Sequence, residues 1–136
     1  MAVLRNLKEY ENQYATAMNF AIRVAAREAT ALSLFMDQLT PEQRTPVREA
    51  ALLKARSGAA ELLAGAIGLV AQGIGLDNAR LMSGALRDTR DVWAKYLLPD
   101  DRRQIISYLT RATQIVGDDQ IKTDLGAVAG TLSAAK

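Results

Sequence analysis

Ser57 to Leu76, SGAAELLAGAIGLVAQGIGL, is a run of twenty residues in which Glu61 and Gln72 are the only strongly polar members. At about 100° per residue, Leu52, Ala59, Leu63, Ile67, Val70 and Ile74 cover one broad side of the helix it predicts. Ala51, Ala55, Leu62, Ala66 and Leu69 cover the adjoining side. A helix apolar over so much of its circumference is expected to be buried over most of it, at the centre of the fold. The remaining stripe reads Lys54, Gly58, Glu61, Gly65, Gly68, Gln72. Each glycine in a helix interior costs about 1 kcal/mol relative to alanine, so three on one stripe need an offset. Small residues at helical spacing offer one, because they let another backbone approach closely. That backbone is either a neighbouring helix of the same chain or a second subunit. A membrane span is the third use of such a helix, about 30 Å long. Glu61 near its middle, and the small hydrophobicity of Gly and Ala, argue against a span.

Ahead of this stretch, residues 3–39 contain neither Gly nor Pro. Arg5, Glu9, Asn12, Thr16, Asn19, Arg23, Arg27, Thr30 and Asp37 share one stripe, opposite Leu7, Tyr14, Met18, Ala21, Ala25, Leu32, Met36 and Leu39. The pattern predicts one amphipathic helix about 55 Å long. Glu28 is the exception, a carboxylate within the apolar half. A second helix is expected over 41–73, with Thr40 as cap, Pro41 at the first helical position and Gln43 closing a capping box. Pro46 lacks an N–H and disfavours the α conformation at Thr45, which predicts a kink or a short separate turn before Val47.

Gly73-Ile74-Gly75 ends the second helix, and Asp77 is expected to cap a third over 77–98. Pro99 stops that one, Asp100 and Asp101 suit the start of a fourth over 100–116, and a last helix is expected over 119–134. Gly117-Asp118-Asp119 leaves open whether the last two are one kinked helix. The expected fold is therefore all-α, a single domain forming an antiparallel up-down bundle of four to five helices. One echo runs through it. Phe35, Leu39, Pro41, Glu42 and Arg44 match Trp93, Leu97, Pro99, Asp100 and Arg102 at a constant offset of 58 residues, as a duplicated unit or the same turn chemistry used twice would give.

The chemistry on offer is sparse. The 136 residues contain no cysteine and no histidine, which removes thiol chemistry, the commonest general base and the commonest transition-metal ligand together. No Gly-rich phosphate loop is present, since Gly65, Gly68, Gly73 and Gly75 are not followed by Lys-Ser/Thr. No catalytic residue, metal ligand or cofactor is expected, and the chain is not expected to be an enzyme. Twelve of the 17 basic residues are arginine, the residue suited to phosphate contacts. Asp88, Asp91, Asp100 and Asp101 lie among them and the net charge is +2, the pattern of a solvated face. Neither nucleic acid nor membrane is an expected partner. MAVLRNLKEYENQ lacks the apolar core of a signal peptide, so the expected compartment is the cytoplasm.

Three residue groups remain as candidates. Antiparallel packing of the first two helices would place Glu28 near Arg56 as a partly buried ion pair, and similar register would bring Glu61 to Arg90. Phe35, Trp93, Tyr96 and Tyr108 map to one bundle end, either as core or, with Met18, Met36 and Met82 as adaptable side chains, as an apolar pocket for a small hydrophobic ligand. Gly58, Glu61, Gly65, Gly68 and Gln72 form the candidate interface. The expected function is a non-enzymatic protein–protein interaction module of adaptor, immunity or chaperone kind, homo-oligomeric through this small-residue face. The alternative is a carrier of a hydrophobic ligand in the bundle core.

Overall fold

The computed structural model describes residues 2–135, with side chains over 6–135. All its regular elements are helices: α1 (Ala2–Asp37), α2 (Pro46–Gln72), α3 (Leu76–Asp88), α4 (Arg90–Tyr96), α5 (Pro99–Ile115) and α6 (Asp119–Ala134). Six helices replace the four to five expected, because residues 77–98 divide at Thr89. There the backbone turns to φ −107°, ψ 7°. The Thr89 hydroxyl donates to the Ala85 carbonyl at 2.8 Å and accepts the Trp93 indole N–H at 2.8 Å. A threonine bonded back to its own helix, with a tryptophan seated on its oxygen, ends one helix and starts the next.

The first turn is longer than expected. Thr40 and Gln43 do form the reciprocal capping bonds, Thr40 N–H to Gln43 Oε1 at 2.9 Å and Gln43 N–H to Thr40 Oγ1 at 3.3 Å. They close an isolated turn, and α2 begins at Pro46 rather than at residue 41, capped by Thr45 Oγ1 accepting from Arg48 N–H at 3.3 Å. Pro46 is the cause, since it bars helical geometry at Thr45 and is itself preset for a first helical position. At the far end of α2, Gly73 and Gly75 take φ of 87° and 97°. Gly75, not Asp77, is the N-cap of α3, because its positive φ already turns the chain and leaves Asp77 inside the first turn.

Contacts along the helices set their directions. Asn78 meets Asn12 and Arg23 meets Asp88, so α1 and α3 run the same way. Arg80 meets Asp118 and Arg87 meets Asp124, so α6 runs with them. Phe35 lies by Arg48, and Tyr14 lines a groove with Leu69, so α2 runs opposite to α1. The helices close a ring in which α1 and α5 flank α2, α6 packs on α5, and α3 packs on α1, α2 and α6. Helix α4 fills the space between α6 and α1. The main partner of α1 is α3 rather than its sequence neighbour α2.

The centre of the core is therefore α3 with α4, and not the apolar stretch of α2. Met82, Ser83, Ala85, Leu86 and Trp93 are all at most 1% exposed. Helix α2 buries one side only, through Leu52, Ala59, Ala60, Leu63, Ala66, Ile67 and Val70. Burial follows bulk: a buried Leu, Ile or Val contributes about 1.5–3 kcal/mol, whereas Gly and Ala on the other side contribute little and leave that side outward. Along α1, Ala15, Ile22, Ala29 and Met36 are buried at heptad spacing, with Met18, Ala25 and Leu32 partly buried between them. Leu7 and Tyr14, expected on this face, are 55% and 53% exposed. Helix α1 has 36 residues and is about 54 Å long, while its partners α3 and α4 have 13 and 7 residues, so its first turns, with Leu7, project past them, whereas Tyr14 lies level with α3 and turns to the groove beside Leu69 and Ile74.

Candidate functional site

The outward side of α2 carries the candidate stripe. Gly58, Glu61, Gly65 and Gln72 are exposed and Gly68 is half-buried. A Cβ added at Gly58, Gly65 or Gly68 would meet nothing within 4 Å. The close approach of another helix from the same chain, one of the two uses expected for these glycines, is thus absent from all three. The stripe also extends further towards the N-terminus than the small residues alone suggest. Val47, Lys54, Glu61 and Gly68 repeat every seven residues along it, alternating with Ala51, Gly58, Gly65 and Gln72. Val47 is 79% exposed.

Grooves towards the neighbouring helices flank the C-terminal half of this stripe, with Gly65, Gly68 and Gln72 in their floors. Towards α5, Ala64, Gly65, Gly68, Tyr108, Arg111 and Ile115 line a groove of about 560 Å³, with Ile115 on the rim at 62% exposure. Towards α1, Tyr10 and Tyr14 form a second groove of about 410 Å³ with Leu69, Gln72 and Ile74. The two charges on the stripe are isolated. Lys54 and Glu61 are exposed and form no ion pair among the described residues. Their neighbours three and four positions away on the helix are only Ala, Gly and Ser.

A polar network lies on the other side of the molecule. Arg23 of α1 bonds Asp88 at 3.0 Å, Asp88 also holds Arg87, and Arg87 reaches Asp124 of α6 at 3.0 Å. Asp124, only 3% exposed, accepts from the fully buried Ser83 hydroxyl at 3.2 Å. Burial alone would raise the pKa of Asp88, but the hydrogen bonds from Arg87 and Arg23 outweigh it and hold the carboxyl below its ordinary value. Asp118, which caps α6 through Ile121 N–H, is held low first by Arg80 and then by that backbone bond. Both arginines are raised in turn, Arg80 by its bond to Asp118 and Arg87 by its bond to Asp88. Ser83 and Asp124 were not among the sequence candidates. Their signal is a polar residue at a buried position of each of two apolar stripes, Ala79-Met82-Leu86 and Ile121-Leu125-Val128. The network joins α1, α3 and α6.

Neither expected ion pair forms. Glu28 and Arg56 form no ion pair: the Arg56 guanidinium lies 5.7 Å from the centre of the Tyr96 ring, its Nε buried without a partner, while Glu28 is exposed. Arg56 sits on the side of α2 that turns towards α4, where a ring face takes the place of the carboxylate. Both charges still act on Tyr96, whose pKa is raised, chiefly by burial. Glu61 does not reach Arg90 either, because Glu61 faces outward and Arg90 Nη1 donates to the Arg87 carbonyl at 2.7 Å. Met82, Trp93 and Tyr96 are packed in the core with Met18 against it, and Phe35 is 48% exposed beside Arg48. The five do not line a common space.

Among the described residues no cluster of acidic side chains has the arrangement of a metal site, and no helix is long and apolar enough to cross a membrane. The chain matches no protein-family model, no curated protein and no solved structure.

Proposed function

We propose that this chain is a non-enzymatic protein–protein interaction module that self-associates through the outward stripe of α2, built on Gly58, Glu61, Gly65, Gly68 and Gln72. One observation carries the reading. Three glycines lie inside a 27-residue helix, each at a cost of about 1 kcal/mol, and no atom of the chain beyond their own helix comes near enough to require them. A partner's backbone would require them. The tyrosines and Ile115 beside the floor add the large apolar contact surface that such a partner would cover, in the composition typical of interface cores.

The test is Gly65→Leu, followed by native mass spectrometry and circular dichroism. The wild-type chain is expected to be oligomeric at tens of micromolar. The variant should keep its helical content, since the site is open in the single chain, and should run as a monomer. A wild-type chain that remains monomeric across that range would remove the reading.

A further inference from the structure

The four residues that repeat every seven along the outward side of α2 carry an order of their own: apolar Val47, positive Lys54, negative Glu61, and Gly68 in the floor of the α5-side groove. Lys54 and Glu61 are about 10.5 Å apart along one helix, too far to pair with each other. Neither has another ion-pair partner among the described residues. A second copy laid alongside in the parallel sense and in register would set lysine against lysine and glutamate against glutamate. Laid in the opposite sense, with a two-fold axis midway between positions 54 and 61, it sets each lysine against the other copy's glutamate. The same axis brings each Val47 over the other copy's Gly68, because those two positions are also equidistant from it. A bare knob, 79% exposed, then meets a groove floored by Gly65 and Gly68. At the axis itself stand Ser57 and Gly58, the small residues that a close helix crossing needs.

We propose that the occupant of the α2 face is a second copy of this chain, packed antiparallel about a two-fold axis beside Gly58, with reciprocal Lys54–Glu61 ion pairs and reciprocal seating of Val47 over Gly68. The proposal rests on the self-association reading above and specifies its geometry. Such an interface is isologous and closes at two copies. A standard interface takes about 800 Å² from each partner, close to a tenth of the 8334 Å² surface of this chain. The strip from Val47 to Gln72 is about 38 Å long. Three adjacent helices place their outer axes about 20 Å apart, so α2 with the facing flanks of α1 and α5 supplies an area of that size.

Charge reversal tests the arrangement. Lys54→Glu and Glu61→Lys alone each leave only like charges facing across the axis, and each is expected to weaken dimerisation at least tenfold by sedimentation. An equal mixture of the two single variants restores two opposite-charge pairs, and so does the chain carrying both changes. Both should dimerise as the wild type does. Because the chain has no cysteine, single replacements give a clean second readout. Gly58→Cys, next to the axis, should form a disulfide-linked dimer on oxidation, and Gln72→Cys, far from it, should not. Cross-linking through Gln72→Cys, or single reversals that dimerise like wild type, would overturn the antiparallel arrangement and leave self-association standing. A wild-type chain that is monomeric throughout would remove both.

Discussion

Arg44 donates from Nε and Nη2 to the carbonyl of Met36, at 3.1 and 2.7 Å, closing the first interhelical turn onto the last turn of α1 eight residues back. Arg102 makes the corresponding bond to Ala94, eight residues back, at 3.3 Å. The offset of 58 residues seen in the sequence thus reappears as one device used at two turns: a guanidinium on the start of a new segment bonds a carbonyl in the last turn of the previous helix. At the second turn the helix runs straight on from Pro99, and at the first it must restart at Pro46.

Arg44→Ala should therefore lower stability by about 1–2 kcal/mol, the range for a charged hydrogen bond at a partly exposed site. Arg102→Ala, which loses one longer bond, should cost less. Arg44→Lys should recover little, because an ammonium lacks the fork that reaches one carbonyl from two nitrogens. Urea titration of the three variants measures the order.

Glycine replacement separates two kinds of site. In the association-defective Lys54→Glu background, Gly58→Ala and Gly65→Ala should each raise stability by about 0.5–1 kcal/mol, since the added methyl meets open space and the helix gains propensity. Gly73→Ala should lower it by about 1 kcal/mol, because φ of 87° is strained for any residue with a Cβ. Thermal melting checks the opposite signs.

Asp124 is the buried anchor of the α1–α3–α6 network. Asp124→Ala takes from the Ser83 hydroxyl one of its two acceptors, the other being the Arg80 carbonyl at 3.2 Å, and takes from Arg87 a buried carboxylate, and it should cost about 1–2 kcal/mol. Ser83→Ala removes the donor and should cost about 1 kcal/mol. The double variant should cost less than the sum of the two, a coupling that denaturation of all four chains would resolve.

Acid should weaken the fold in a defined window. Asp88 and Asp118 have folded pKa values below their unfolded ones, so the stability they contribute is complete above about pH 4, the unfolded carboxylate value, and is lost as pH falls through the folded values. Asp118→Asn should flatten the stability profile below about pH 4 while changing its shape little near neutrality. Replacing both should flatten it further. A profile unchanged by both substitutions would contradict this assignment.

Part of the helix punctuation was legible because it is local: Pro46 forces the separate turn that precedes α2, and Pro99 ends one helix and starts α5, whereas the Asp118 cap of α6 was left open between a break and a kink. The break at Thr89 was not, because a mid-helix threonine ends a helix only when something such as Trp93 seizes its hydroxyl. The exposure of Leu7 depends on how far α3 reaches, and that of Tyr14 on the groove left between α1 and α2, neither of which periodicity within α1 reports. The stripe of α2 was visible residue by residue, and yet its direction was not. Hydrophobic patterning counts Gly and Ala as apolar, whereas packing was decided by Leu63, Ile67 and Val70 opposite. Ser83 and Asp124 meet across 41 residues of sequence, and neither half announces the other.

The chromophores are divided between the two halves of the molecule's behaviour. Trp93, the single tryptophan, is sealed in the core with its indole N–H bonded, while Tyr10, Tyr14 and Tyr108 stand around the floor of α2. Tryptophan emission should then stay constant while a partner covers the face and shift only when the chain unfolds, whereas tyrosine absorption should change on association and again on unfolding, which exposes the buried Tyr96. A single unlabelled sample diluted through its association range would report assembly and folding as two separate optical signals.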